Sequence, residues 1–249
     1  MKFTIRKIHK YLSLFISLQL LLWTASGIYF AYNKIENVRG EQYREQTSFS
    51  VDLSKINFEV EDISTLSFAN RLNERVVVIR DTQGKKYFDF DGNLIDKISF
   101  EDALEVVKTK TNLSPLLVEE VTEAKKRAEY RGRDLPIYRV VSTNKQNEEI
   151  NVYLNPYSGK IEAIRTLSWR IWDFLWGLHI IDWSERDNIN NIFLQIFSLL
   201  ALVSSITGII LFFRGDMTNN FSPMIFFPSF KIAKDKGLSC STLQKEADI

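Results

Sequence analysis

Two long stretches of this chain carry no acidic or basic residue, and between them the apolar positions break into short alternating runs. Tyr11 to Asn33 is 23 such residues and Asn188 to Phe213 is 26. At about 1.5 Å of rise per residue, each run exceeds what is needed to cross a hydrocarbon core of roughly 30 Å. The pattern predicts two transmembrane helices, within residues 1–33 and 188–213, flanking one inserted α+β domain at 34–166. A secretory signal is the other reading of the first run. Signal cores are usually about 7–15 apolar residues, whereas this run passes the small residues Thr24-Ala25-Ser26-Gly27 and continues through Ile28, Tyr29, Phe30 and Tyr32.

Inside the insertion, Val76-Val77-Val78-Ile79 and Tyr87-Phe88-Asp89-Phe90 flank the turn sequence Asp81-Thr82-Gln83-Gly84, and Asp91-Gly92 closes the second run. Ile137–Val141 and Ile150–Leu154 flank Asn144-Lys145-Gln146-Asn147 in the same way, with Asn155-Pro156-Tyr157-Ser158-Gly159 following. Both are hairpin signatures. Their shared order of strand, turn and apolar exit suggests an internal duplication. Between them, Ser99 with Asp102 three residues on forms a helix-starting box, Phe100, Ala103, Leu104 and Val107 keep helical spacing, and Pro115 is expected to end that helix.

Residues 167–187 hold four of the five tryptophans. Trp169, Trp172, Trp176 and then His179 or Trp183 recur at helical steps, which predicts an amphipathic helix at headgroup level, followed by a polar hinge at Asp182–Asn188.

Charge adds the orientation. Lys2, Arg6, Lys7 and Lys10 precede the first run and Arg214 follows the second, so both termini are expected in the cytoplasm and residues 34–187 on the other face of the membrane, in a bacterium the periplasm or exterior. A net charge of +1 excludes a nucleic-acid field, and a mean hydropathy of −0.13 reflects apolar spans offset by a richly charged insertion. The single cysteine, Cys240, lies in the tail at 214–249, so the insertion has no disulfide. That domain also lacks histidine and a glycine-rich phosphate loop. Its paired acids, Asp89 with Asp91 and Glu119 with Glu120, read as strand-face residues rather than an acid–base pair.

The chain's only two histidines, His9 and His179, each stand next to one apolar run. An imidazole at membrane depth is a common ligand to haem iron and a common proton carrier. Lys7-Ile8-His9-Lys10-Tyr11-Leu12-Ser13-Leu14, the later Ser26-Gly27, Leu178-His179, Thr207-Gly208 and Tyr153–Ile161 together resemble the PepSY-associated transmembrane family over about residues 5–214. Several members of that family are haem-bearing reductases of iron–siderophore complexes. The resemblance implies a PepSY-like inserted domain, and His9 and His179 as axial ligands of haem b. This chain departs from the larger relatives in having two spans where they have four or more, and in lacking a flavin or nicotinamide domain.

His9 and His179 are expected near opposite membrane faces, so one iron cannot take both. A homodimer with a two-fold axis along the membrane normal would pair each with its copy, giving two bis-His haems per dimer. Arg6, Lys7 and Lys10 at one face, and Arg170 at the other, are candidate partners of the haem propionates. The expected function is electron transfer from a cytoplasmic donor or quinol to an extracytoplasmic acceptor, ferric iron or a ferric siderophore. Two rivals stand beside it: a haem-free, membrane-anchored PepSY module that binds and regulates a partner, and an accessory subunit of iron uptake.

Overall fold

The computed structural model describes residues 2–45, 48–56, 63–72 and 74–216. The sequence-based expectations for the tail, Cys240 among them, fall largely outside those residues. Residues up to Thr207 form one compact unit, and those from Gly208 onward belong to a second.

Helix α1 runs from Lys2 to Tyr32 and helix α5 from Ile192 to Asp216. Over Arg6–Tyr32 and Ile192–Phe213 they are long and apolar enough to cross a membrane. Leu14, Leu18, Leu21, Phe193, Leu199 and Ile206 are all exposed, a cost in water that lipid removes. Within the first unit α5 lies beside α1, with Thr207 meeting His9, Ser204 meeting Ser13 and Phe197 stacking on Phe15 at 5.5 Å.

After the one-turn helix α2 (Ile35–Val38), the insertion builds two antiparallel sheets. The first contains β1 (Thr65–Arg71), β2 (Glu74–Asp81) and β3 (Gly84–Phe88) in that order. The second contains β4 (Ser114–Val121), β5 (Ile137–Thr143), β6 (Glu149–Leu154) and β7 (Ile161–Arg165), again in chain order. The β2–β3 hairpin pairs Asp81 with Gly84, and the β5–β6 hairpin pairs Thr143 with Glu149. In each loop an Asx side chain accepts backbone N–H groups: Asp81 from Gln83 and Gly84, Asn144 from Gln146 and Glu148.

The turns that follow β3 and β6 share one construction. Asp89 accepts from the N–H of Asp91 and Asn93, Asn155 from those of Tyr157 and Ser158, and Gly92 and Gly159 hold φ of 86° and 60°. The two turns also touch. Tyr87 stacks on Tyr157 at 5.0 Å, and Asn155 donates to the Tyr87 hydroxyl at 2.7 Å.

Helix α3 (Phe100–Lys110) starts on Ser99, whose hydroxyl accepts from the Asp102 N–H at 3.0 Å. It ends at Lys110, before Pro115, which sits in β4 beside a register shift to Leu117. The residue expected to stop the helix instead occupies an edge strand, where a missing N–H breaks no ladder bond. Ala103, Val106 and Val107 of α3 pack on Val118, Val140, Val152, Leu154 and Ile164 to make the main core. The other face of β6 is also covered, since Tyr153 joins Tyr130, Ile137 and Ala163. Fully burying each of the valine, leucine and isoleucine side chains among these is worth about 1.5–3 kcal/mol, so this sheet is a firm base for the helix that leaves its last strand.

Helix α4 (Leu167–His179) departs directly from β7, capped by Thr166, whose hydroxyl accepts from the Trp169 N–H at 3.1 Å. It runs antiparallel along α1: Tyr29 donates to the Ser168 carbonyl, Phe30 packs on Trp172 and Trp176, and Gln19 donates to the Leu178 carbonyl. The expected polar hinge is an ordered turn built around one carboxylate. Asp182 accepts from the N–H groups of Ser184, Glu185, Asp187 and Asn188.

Candidate functional site

The two histidines are held alike. His9 Nδ1 lies 2.9 Å from the Thr207 hydroxyl, and that hydroxyl points its own proton at the Val203 and Ser204 carbonyls, both at 2.9 Å. His179 Nδ1 lies 2.7 Å from the Ser26 hydroxyl, whose proton is directed at the Leu22 carbonyl at 2.8 Å and the Trp23 carbonyl at 3.1 Å. A hydroxyl has one proton, so in both places the oxygen accepts and the ring donates. Assigned from this network, each neutral imidazole carries its proton on Nδ1 and keeps a lone pair on Nε2. Ser13 is the other hydroxyl near His9, but it stands 3.4 Å from both ring nitrogens and bonds at 2.9 Å to Ser204.

Around His179 the surroundings are aromatic. Trp176 stacks on the imidazole at 6.2 Å and 6°, Trp172 stacks on Trp176 at 5.4 Å and 8°, and Phe30 meets the ring edge at 5.6 Å. Trp23 donates from Nε1 to the His179 carbonyl at 2.6 Å, closing the end of α4 against α1.

Ser26 is 17 residues beyond His9 on α1, about 25 Å along the axis. The structure therefore keeps the two imidazoles apart, as the sequence predicts. Among the described residues no group of three or more His, Cys, Asp or Glu could hold a bare metal ion. A cofactor that brings its own equatorial ligands and asks the protein for one imidazole per side fits this donor set better. Gly27 adds a second observation of fit: a Cβ placed there would meet nothing within 4 Å. A mid-helix glycine costs about 0.5–1 kcal/mol relative to alanine, and no close packing within the chain requires this one.

Of the four cations proposed for propionates, Arg6, Lys7 and Lys10 are exposed at the His9 end of α1, and Arg6, three residues before His9, shares its face. Arg170 is engaged elsewhere. It donates from Nε to Glu129 at 2.6 Å, and nine residues at 100° each put it about 180° around α4 from His179. The sequence placed both on one amphipathic segment without fixing which face each took.

Arg170 belongs instead to a clamp between α4 and the sheet. Glu129 also accepts from Asn151 at 2.7 Å and from the Tyr153 hydroxyl at 3.0 Å. Burial pushes the Glu129 carboxyl up, but the hydrogen bonds from Arg170, Asn151 and Tyr153 outweigh it and hold the group below its ordinary value. One turn further along α4, Asp173 is 2% exposed and binds Arg131 on one oxygen and Arg186, at 2.7 Å, on the other. Arg131 also reaches Asp187 at 2.8 Å. None of these partners was legible in the sequence, because each pair is far apart in the chain or on irregular backbone.

The hydroxyl partners of the histidines did leave a signal. Ser26-Gly27 and Thr207-Gly208 were visible as hydroxyl–glycine pairs, and the structure shows that the hydroxyl of each meets one of the two imidazoles. No curated protein and no solved structure matches the chain. A family model does, over nearly its whole length. With two membrane-length helices flanking an α+β insertion, and matched from residue 6 to residue 238, this membrane protein belongs to the family of the PepSY-associated TM region.

Proposed function

We propose that the protein is a homodimeric b-type haem protein of the bacterial cytoplasmic membrane, with both termini in the cytoplasm. In this reading it carries electrons to an extracytoplasmic acceptor, ferric iron or a ferric siderophore. The observation that carries the reading is the matched pair of imidazoles, each donating Nδ1–H to a helix hydroxyl whose proton is already committed. That arrangement fixes the tautomer and ring plane and leaves Nε2 as the free donor, which is how proteins orient metal-ligating histidines. When bound, haem supplies one-electron chemistry at the two ends of the helix pair.

The chain's own residues account for the rest. Each histidine is the only imidazole at its level, so a six-coordinate iron takes its second ligand from another copy. His9 and His179 would each hold the haem group through Nε2, the nitrogen left without a proton. A two-fold axis along the membrane normal brings His9 to its copy at the cytoplasmic side and His179 to its copy at the outer side. Arg6 lies on the His9 face to receive a propionate, and the open helix face at Gly27 leaves room for a flat ring or for the copy's helix. The cytoplasmic electron source is a soluble donor or quinol.

The test is a reduced-minus-oxidised visible spectrum of detergent-purified protein expressed with ample haem. Sharp α and Soret bands of a six-coordinate b haem are expected. Without Soret absorbance the imidazole–hydroxyl bonds are helix-packing contacts, and the protein is a membrane-anchored binding module.

A further inference from the structure

At the base of the insertion, beside the start of α4, lies a cavity of about 440 Å³ lined by five arginines and three carboxylates. Two of these arginines make no ion pair among the described residues, and a third, Arg131, keeps one nitrogen free although Asp173 and Asp187 pair with it. Arg165 is buried, and its hydrogen bonds go only to the carbonyls of Glu129 and Ile164. Arg39, exposed at the rim, has no ion pair among the described residues. Arg131 Nη1 is buried without a hydrogen-bond partner.

A buried cation whose own hydrogen bonds reach no carboxylate is costly, and an anion supplied from solution lowers that cost. Burial, together with the neighbouring Arg133 and Arg131 cations, holds the Arg165 guanidinium down to about 10. The walls are aromatic. Arg165 lies 4.2 Å and Arg131 5.6 Å from the Trp169 ring, and Trp172 closes another side.

We propose that this cavity binds a small organic polycarboxylate, held by Arg39, Arg131 and Arg165 against the faces of Trp169 and Trp172. Planar guanidinium forks match carboxylate geometry in pairs, and several forks converging on one space favour a ligand with more than one carboxylate. The volume lies in the range of small-molecule sites, which run from about 300 to 1,000 Å³. One inorganic anion would leave most of it, and both indole walls, to water. The site stands on the cavity's own geometry. It deepens the electron-transfer reading in one respect, which does rest on that reading: Trp172 and Trp176 form a continuous stack from the cavity to His179, so an anionic acceptor seated there would be two indoles away from the outer histidine.

The test is calorimetric titration of the full-length protein in detergent at low salt with citrate, and separately with inorganic phosphate. Saturable citrate binding at least tenfold tighter than phosphate is expected, weakened about tenfold in Arg39→Gln and more in Arg165→Gln. Arg39 is on the surface, so its variant decides the matter if Arg165→Gln fails to fold. Absence of saturable citrate binding, an affinity unchanged in Arg39→Gln, or phosphate binding as tight as citrate each overturns the proposal, the last by making the cavity a phosphate or lipid-headgroup site. Titration heats do not depend on haem, so this result and the visible spectrum fail separately.

Discussion

The Ser26 hydroxyl stands 2.7 Å from His179 Nδ1, and the same contact is made at the other end of α1 by Thr207 and His9 at 2.9 Å. If these hydroxyls orient ligating imidazoles, removing one should weaken the cofactor's hold without unfolding the helices. Losing such an outer partner commonly costs about 10–100-fold in metal affinity. Ser26→Ala is therefore expected to lower haem occupancy at the His179 site and Thr207→Val at the His9 site, read as two separable losses in a redox titration. Unchanged occupancy and potentials in both variants would remove the orienting role.

Gly27 offers a cleaner separation of packing within the chain from packing against something else. A side chain there meets nothing in the chain, and leucine is a better helix former by about 0.8–1 kcal/mol. Gly27→Leu is expected to leave the melting temperature of the monomer unchanged or raised, while reducing haem content and the dimeric fraction in native mass spectra. Full haem loading in this variant would show that the Gly27 face is not used.

Asp173 joins the membrane-side helix to the insertion. With its carboxylate buried and shared by Arg131 and Arg186, Asp173→Asn leaves Arg186 without its counter-charge and Arg131 with Asp187 alone. Breaking such a pair costs about 3–5 kcal/mol. The expected result is a lower unfolding midpoint and faster proteolysis in residues 180–191, whose backbone leans on the same cluster. An unfolding free energy within about 0.5 kcal/mol of the parent, the usual range for uninvolved surface positions, would contradict this.

Glu129 gives the clamp a pH dependence. Its folded carboxyl titrates below its ordinary value of 4.5, so the ionised form stabilises the fold. That contribution is fully present above 4.5 and disappears as pH falls through the depressed folded value. Glu129→Gln should therefore melt lower than the parent at pH 6–7, with the two curves converging as pH falls through the depressed folded value. A difference that stays constant from pH 7 to pH 3 would show that the carboxylate charge is not what Glu129 contributes.

The spans were legible because a run of more than twenty uncharged residues has few alternatives. The Ser99 cap and the β2–β3 and β5–β6 hairpins were legible because their signals are local. Strands β1, β4 and β7 were missed: β4 carries Pro115, which reads as a stop, and β7 has only five residues. Of the site, the histidines and their separation could be read from the sequence. Their hydroxyl partners could be seen only as small-residue steps, because the pairings of His9 with Thr207 and Ser26 with His179 span most of the chain. That Arg170 turns toward Glu129 was hidden for the related reason that a helix's face depends on its register, which the Glu129 and Asp173 clamps set from outside the helix.

The central claim is that each histidine contributes one of two ligands to a haem completed by a second copy. The most direct test is haem per chain, measured alongside native mass, in the parent, His9→Ala and His179→Ala. One haem per chain in a dimer is predicted for the parent, with each variant keeping about half. A haem-loaded monomer, or one variant losing all haem while the other loses none, would contradict it.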